Sequence, residues 1–109
     1  MFYQVNDHVS NLGQQTEITL NGRLTHADYP VFHKITNDLG KTEKQTCVFN
    51  LSRLDFIDSA GVGMLLLAQD KVQEGNGKVI VRGVHSQVKK MIELGHFENY
   101  LTIENRDDA

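Results

Sequence analysis

Ser59, in the run Phe56-Ile-Asp-Ser-Ala-Gly-Val-Gly63, is the hydroxyl in this chain best placed to take part in chemistry. A serine nucleophile needs a histidine to take its proton and an acid to orient that histidine. The residue types exist, since the chain holds Asp58 and five histidines, His8, His26, His33, His85 and His96. Their spacing argues against it: Asp58 adjoins the serine, and Asp-Ser-Ala-Gly is not the Gly-x-Ser-x-Gly elbow. Nothing matches a phosphate-binding Gly-x-x-x-x-Gly-Lys-Ser/Thr loop, and no histidine pair has metal-ligand spacing on one helix. Neither catalysis nor a metal or other cofactor is therefore expected. The remaining chemistry is that of a hydroxyl acted upon by another enzyme. A phosphate on Ser59 would place roughly two negative charges beside Asp58. Oriented amides and the positive end of a helix dipole would favour it, and Gly61 and Gly63 would let another molecule approach the backbone. The simpler role for the same serine is a helix cap, and the two roles are compatible.

The elements that position Ser59 follow from hydrophobic rhythm. Residues 46–51 read as a short buried strand, and Ala60 to Glu74 as a helix whose inner face carries Gly61, Leu65, Ala68 and Val72. Residues 2–9 and 16–24 read as an antiparallel pair joined by a turn at Asn11-Leu-Gly-Gln. A helix starts near Asp28, tolerates Pro30 in its first turn, buries Phe32, Ile35 and Leu39, and stops at Gly40. Residues 78–82 form another strand. Ser86 can cap a third helix with Val88, Met91 and Ile92 inward and Gly95 at its end, or serve as a second phosphosite. Residues 100–103 read as a last strand and 104–109 as a fraying polar tail.

This order predicts an α/β fold. Its mixed sheet has about five strands, an N-terminal antiparallel pair and then strands alternating with helices, covered by three to four helices. In such open sheets, sites gather where strand ends meet helix starts, which is where Ser59 falls. On the same helix Gly63 and Leu67 point away from the Leu65 face, with Met64 and Leu66 flanking. Leu67 is then either an isolated exposed leucine or part of a docking patch.

The 109 residues fit one domain, 1–109. A net charge of −3 with eleven scattered basic residues argues against nucleic acid as a partner. The longest apolar run, Met64 to Ala68, is far too short to span a membrane, and the N-terminus lacks a signal-peptide pattern, so a cytoplasmic protein is expected. Cys47 is the only cysteine and excludes an internal disulfide; its strand-like setting makes it a small buried apolar side chain.

Gly22-Arg-Leu, Ala27-Asp-Tyr-Pro30, Val48-Phe-Asn-Leu51 leading into Phe56-Ile-Asp-Ser-Ala-Gly-Val-Gly63, and Gly95-His-Phe-Glu-Asn-Tyr-Leu101 form a pattern that, over nearly the whole length of the chain, resembles a stand-alone STAS domain, the module named for sulphate transporters and anti-sigma factor antagonists. The resemblance implies that Ser59 matches the serine phosphorylated by a cognate serine protein kinase, often itself the anti-sigma factor, and restored by a PP2C-type phosphatase. The unmodified form then binds its partner and the phosphorylated form is released. Asp58 matches the acidic neighbour of that serine. With Gly61, Gly63, Met64, Leu67 and Thr25, it forms the expected partner surface of a monomer or weak dimer. Thr25 stands where relatives often carry aspartate, in a loop that commonly helps form the partner surface. The resemblance also admits a regulator of biofilm or motility acting on a non-sigma partner, and an accessory subunit of a lipid ABC transporter.

Overall fold

The computed structural model describes residues 1–10 and 13–104. Four strands form one sheet in the order β1 (Phe2–Ser10), β2 (Gly13–Leu24), β3 (Thr46–Ile57) and β4 (Lys78–Arg82). β1 runs antiparallel to β2, whereas β2, β3 and β4 are mutually parallel. Parallel neighbours need crossovers, and these are α1 (Tyr29–Leu39), between β2 and β3, and α2 (Ser59–Glu74), between β3 and β4. α3 (Ser86–Leu94) follows β4, and short 3-10 turns occupy His26–Asp28 and Phe97–Asn99.

β2 shows why one face of the sheet is covered: Thr16, Ile18 and Leu20 are buried, while Gln15, Glu17, Thr19 and Asn21 between them are only half-buried. Ile18 and Leu20 meet Phe32, Ile35 and Leu39 of α1, Leu65, Ala68 and Val72 of α2, and Val88 and Ile92 of α3 in one core. The rings of Phe32 and Phe49 stack there with centroids 5.7 Å apart. Cys47 is buried, and burial pushes its thiol up to about 12, so it stays a protonated apolar group.

Several expectations are corrected. β3 continues past Leu51 to Ile57, because Leu54 and Ile57 keep supplying buried side chains beyond the polar pair Ser52-Arg53. The expected fifth strand contracts to a single parallel bridge between Val81 and Ile103; the 3-10 turn at Phe97–Asn99 takes up the chain just before it. Glu104 is tied down and not frayed, since its amide donates to the Val81 carbonyl at 2.8 Å and its carboxylate pairs with Arg82 at 3.0 Å. The turn expected at residues 11 and 12 and the tail 105–109 lie outside the described residues. Ser86 does not cap α3. Its φ of 53° is left-handed, not the extended conformation of a cap, and His85 takes the cap position while its ring Nδ1 lies 3.0 Å from the Ser86 hydroxyl.

Candidate functional site

At the C-terminal ends of β2 and β3 the two strands leave regular register, with shifts between Thr19 and Asn21 and between Gly22 and Arg23. Gly22 has φ 89°, a backbone conformation that suits glycine and bends this end of the strand. The bend brings Leu24 beside Ile57, and the next residue, Asp58, ties the two strand ends together. Its amide donates to the Leu24 carbonyl at 3.2 Å. Its carboxylate Oδ2 accepts from the His26 amide at 3.2 Å, and Oδ1 accepts from the Gly61 amide at 2.7 Å. Asp58, with φ −101° and ψ 179°, is therefore the cap of α2 and Ser59 its first residue, which corrects the expectation that the serine caps the helix. The aspartate wins because a carboxylate at this position can reach the Gly61 amide and also interacts favourably with the helix dipole.

Freed from capping, the Ser59 side chain is exposed and has no hydrogen-bond partner among the described residues. Beyond it lies a shallow apolar groove of about 640 Å³, lined on α2 by Ala60, Gly63, Met64, Leu66 and Leu67 and on the other side by His26 and Tyr29. Met64 is 4% exposed and so forms part of the floor, whereas Leu67, at 55%, stands on the rim. Nothing lies within 4 Å of where a Cβ on Gly63 would be, so its bare backbone keeps the groove open. Tyr29, half exposed, is held by stacking on His33, with centroids 5.5 Å apart.

The model of the STAS domain family matches residues 4–109. This chain belongs to the STAS family. A curated relative, a STAS-domain containing protein of Pseudomonas aeruginosa (strain UCBPP-PA14), is 25% identical over 91 residues, covering 84% of this chain and 89% of its own. Among solved structures, the unphosphorylated form of the anti-sigma factor antagonist SpoIIAA superposes with a TM-score of 0.74 at 23% identity, covering 98% of this chain and 91% of the other. The phosphorylated form of SpoIIAA, a Bacillus cell fate determinant, gives 0.66 at 22% identity over 98% and 95%. An anti-sigma factor antagonist from Mycobacterium paratuberculosis gives 0.76 at 14% identity over 98% and 89%. The STAS fold is thus common to all of them.

Within this STAS domain the residues singled out from sequence do not all share one surface. Ser59, Gly63, Met64 and Leu67 border or line one surface. Asp58 and Gly61 lie behind it and hold the helix start. Thr25 is half-buried, and its amide donates to Asp28 Oδ2 at 2.9 Å, which closes the turn after β2. Ser86 is exposed on the far side of β3, where the His85 ring contacts the Ser52 carbonyl at 2.9 Å.

Tyr29, on the opposite wall of the groove, is a site residue that sequence reasoning missed, as is Gln87. The Gln87 amide clasps Ile57 at both ends, accepting from its N–H and donating to its C=O at 2.9 Å each. It substitutes for a neighbouring strand where β4 has already ended, and fixes the backbone one residue before Asp58. Among the described residues no group of three or more His, Cys, Asp or Glu could hold a metal, and no helix is long and apolar enough to cross a membrane.

Burial alone would raise the Asp58 carboxyl, but the Gly61 and His26 amides, together with the His26 ring at 3.7 Å, outweigh it and hold the group below its ordinary 3.8. A depressed folded-state value contributes stability above the unfolded value, and that contribution is lost as pH falls through the folded one. Asp58→Ala should cost about 1 kcal/mol at neutral pH by thermal denaturation. Asp58→Asn, which can still cap, should cost less, and its deficit should vanish in acid as the wild-type carboxylate is protonated. A deficit that persists unchanged in acid would mean that the charge of Asp58 contributes nothing.

Proposed function

We propose that this STAS domain is a phosphorylation-controlled protein-binding switch of the anti-sigma factor antagonist kind. The observation that carries the reading is the exposed, unbonded Ser59 hydroxyl on the first turn of α2, at the end of an apolar groove. Unmodified, the serine is small and neutral, and a partner can seat an apolar side chain against Tyr29 and Leu67. Phosphorylated, the same position carries a dianion that the partner must desolvate, while the α2 amides and dipole keep the fold intact. A serine kinase that is itself the anti-sigma partner would read and write this site, and a PP2C-type phosphatase would reset it.

The SpoIIAA structures in two phosphorylation states support the kind of switch. Asp58 contributes by placing Ser59, since both of its oxygens are already engaged within the fold. Thr25 lies in the adjoining turn and tunes which partner fits. A hydrolase finds no support here: His26 turns to Asp58, and no hydrogen bond joins it to Ser59 among the described residues.

Affinity capture with Ser59→Ala and Ser59→Glu as paired baits tests the reading. The alanine form should retain a partner that the glutamate form loses, with affinities differing about tenfold in a titration, since glutamate carries less charge than phosphate. Equal affinity of that partner for the alanine form and for enzymatically phosphorylated wild type would overturn it.

A further inference from the structure

At the opposite side of the sheet from β4, β1 is an edge strand whose outer row of amides and carbonyls pairs with no other described strand. Native edges are usually blunted by proline, lysine, a bulge or brevity. β1 has none of these: it runs nine residues in unbroken register with β2, with no lysine or arginine, and its one inward-facing charge, the Asp7 carboxylate, is taken up by the Thr16 hydroxyl. It also exposes Phe2 at 80%, Val5 at 48% and Val9 at 83%. The helices do not cover it, because a cleft of about 310 Å³ separates Tyr3, Val5 and Asp7 from α1.

We propose that β1 is a self-association edge, on which a second copy of this chain pairs antiparallel about a two-fold axis through Val5. The sequence of the strand is what selects a second copy. With the axis on Val5, Phe2 faces His8, Tyr3 faces Asp7, Gln4 faces Asn6, and Val5 faces its own mate. Aromatic thus meets imidazole, hydroxyl meets carboxylate, amide meets amide and valine meets valine, and the two Asp7 carboxylates stay apart. The Asp7 carboxylate already accepts from the Thr16 hydroxyl at 2.7 Å, which orients it on this face.

Other registers are worse. An axis on Asn6 sets Asp7 against Val5, and one on Gln4 shortens the overlap and leaves Asp7 beyond it. A half-step would turn unlike faces of the sheet to the same side. The Val5 register joins two four-stranded sheets into one and joins their clefts across the axis. Because Phe2 pairs with Asn21 near the Ser59 end of β2, antiparallel pairing sends the two Ser59 edges to opposite ends of the dimer, where neither is covered.

Sedimentation equilibrium of the full chain over a dilution series should give a mass that falls from twice 12.3 kDa towards 12.3 kDa. Val5→Lys puts two ammonium groups face to face on the axis and should raise the dissociation constant about tenfold or more, with an unchanged thermal melt in the dilute, monomeric range. Mild oxidation of Val5→Cys should give a covalent dimer, whereas Tyr3→Cys alone should not couple but should couple to Asp7→Cys in a mixture. A chain that is monomeric at every concentration, a Val5→Lys variant that associates as tightly as wild type, or Tyr3→Cys that couples alone as readily as Val5→Cys would each overturn the proposal.

Discussion

Gly61→Ala is expected to lower stability by about 2–4 kcal/mol, although alanine is intrinsically the better helix residue by about 1 kcal/mol. A Cβ at this position would lie 2.5 Å from the Leu24 carbonyl oxygen, 2.7 Å from Ile57 Cγ1 and 3.1 Å from Leu24 Cγ. The first of these is backbone, and the same carbonyl accepts the Asp58 amide that joins β2 to α2, so it cannot move aside without loosening the cap. Relief by shifting α2 outward would break the Gly61 amide bond to Asp58 at 2.7 Å. Clash, bond and helix position are one constraint. The cost should appear as a melting temperature lower by about 10–20 °C. Gly63→Ala, two residues along the same helix, is the internal control. Its Cβ meets nothing within 4 Å, so the propensity gain should show as about 0.5–1 kcal/mol of added stability. A similar sign for both substitutions in denaturant titrations would refute the close approach of α2 to Leu24.

The comparison of these two glycines also marks what was legible in the sequence. Periodicity alone put Gly61 on the buried face with Leu65, Ala68 and Val72, and Gly63 with Leu67 on the outer one, because a helix interior has a single period to obey. The strand pairings and crossovers followed from alternation and turn residues for the same reason. Capping was less legible. Asp58 and Ser59 are both good cap residues, and which one takes the position depends on where β3 ends, which Gln87 fixes from 30 residues away. The fifth strand failed likewise, since apolar residues at Leu101 and Ile103 state burial but not whether the intervening chain stays extended. Tyr29 was invisible as a site residue because its role exists only once α1 packs beside α2. The edge character of β1 was equally hidden: its residues alternate in type, yet all from Phe2 to Val9 are exposed, Tyr3, Val5 and Asp7 because a cleft separates them from α1 and the residues between them because they point to the other face.

Leu67→Asp should abolish most partner binding while leaving the fold unchanged. Leu67 is 55% exposed on the rim of the groove that starts beside Ser59, so its side chain adds little to the core, and a surface change there should move stability by no more than about 0.5 kcal/mol. For a partner that fills the groove, the substitution places a carboxylate where an apolar anchor must be desolvated. Loss of such an anchor typically costs about 2–4 kcal/mol, or a dissociation constant raised about thirtyfold or more. The effect differs in kind from that of Ser59→Glu. A surface charge acting on a partner's charge is screened as salt is raised, whereas burial of a carboxylate against apolar surface stays unfavourable at any ionic strength. The two variants titrated at low and high salt should therefore diverge, with the glutamate deficit shrinking and the Leu67 deficit persisting. Their combination should be non-additive if serine and groove are read by one partner surface, because a partner already excluded from the groove no longer feels the charge at its end. Full additivity, or a Leu67→Asp variant that binds like wild type, would separate the groove from the switch and leave Ser59 to act through some other surface.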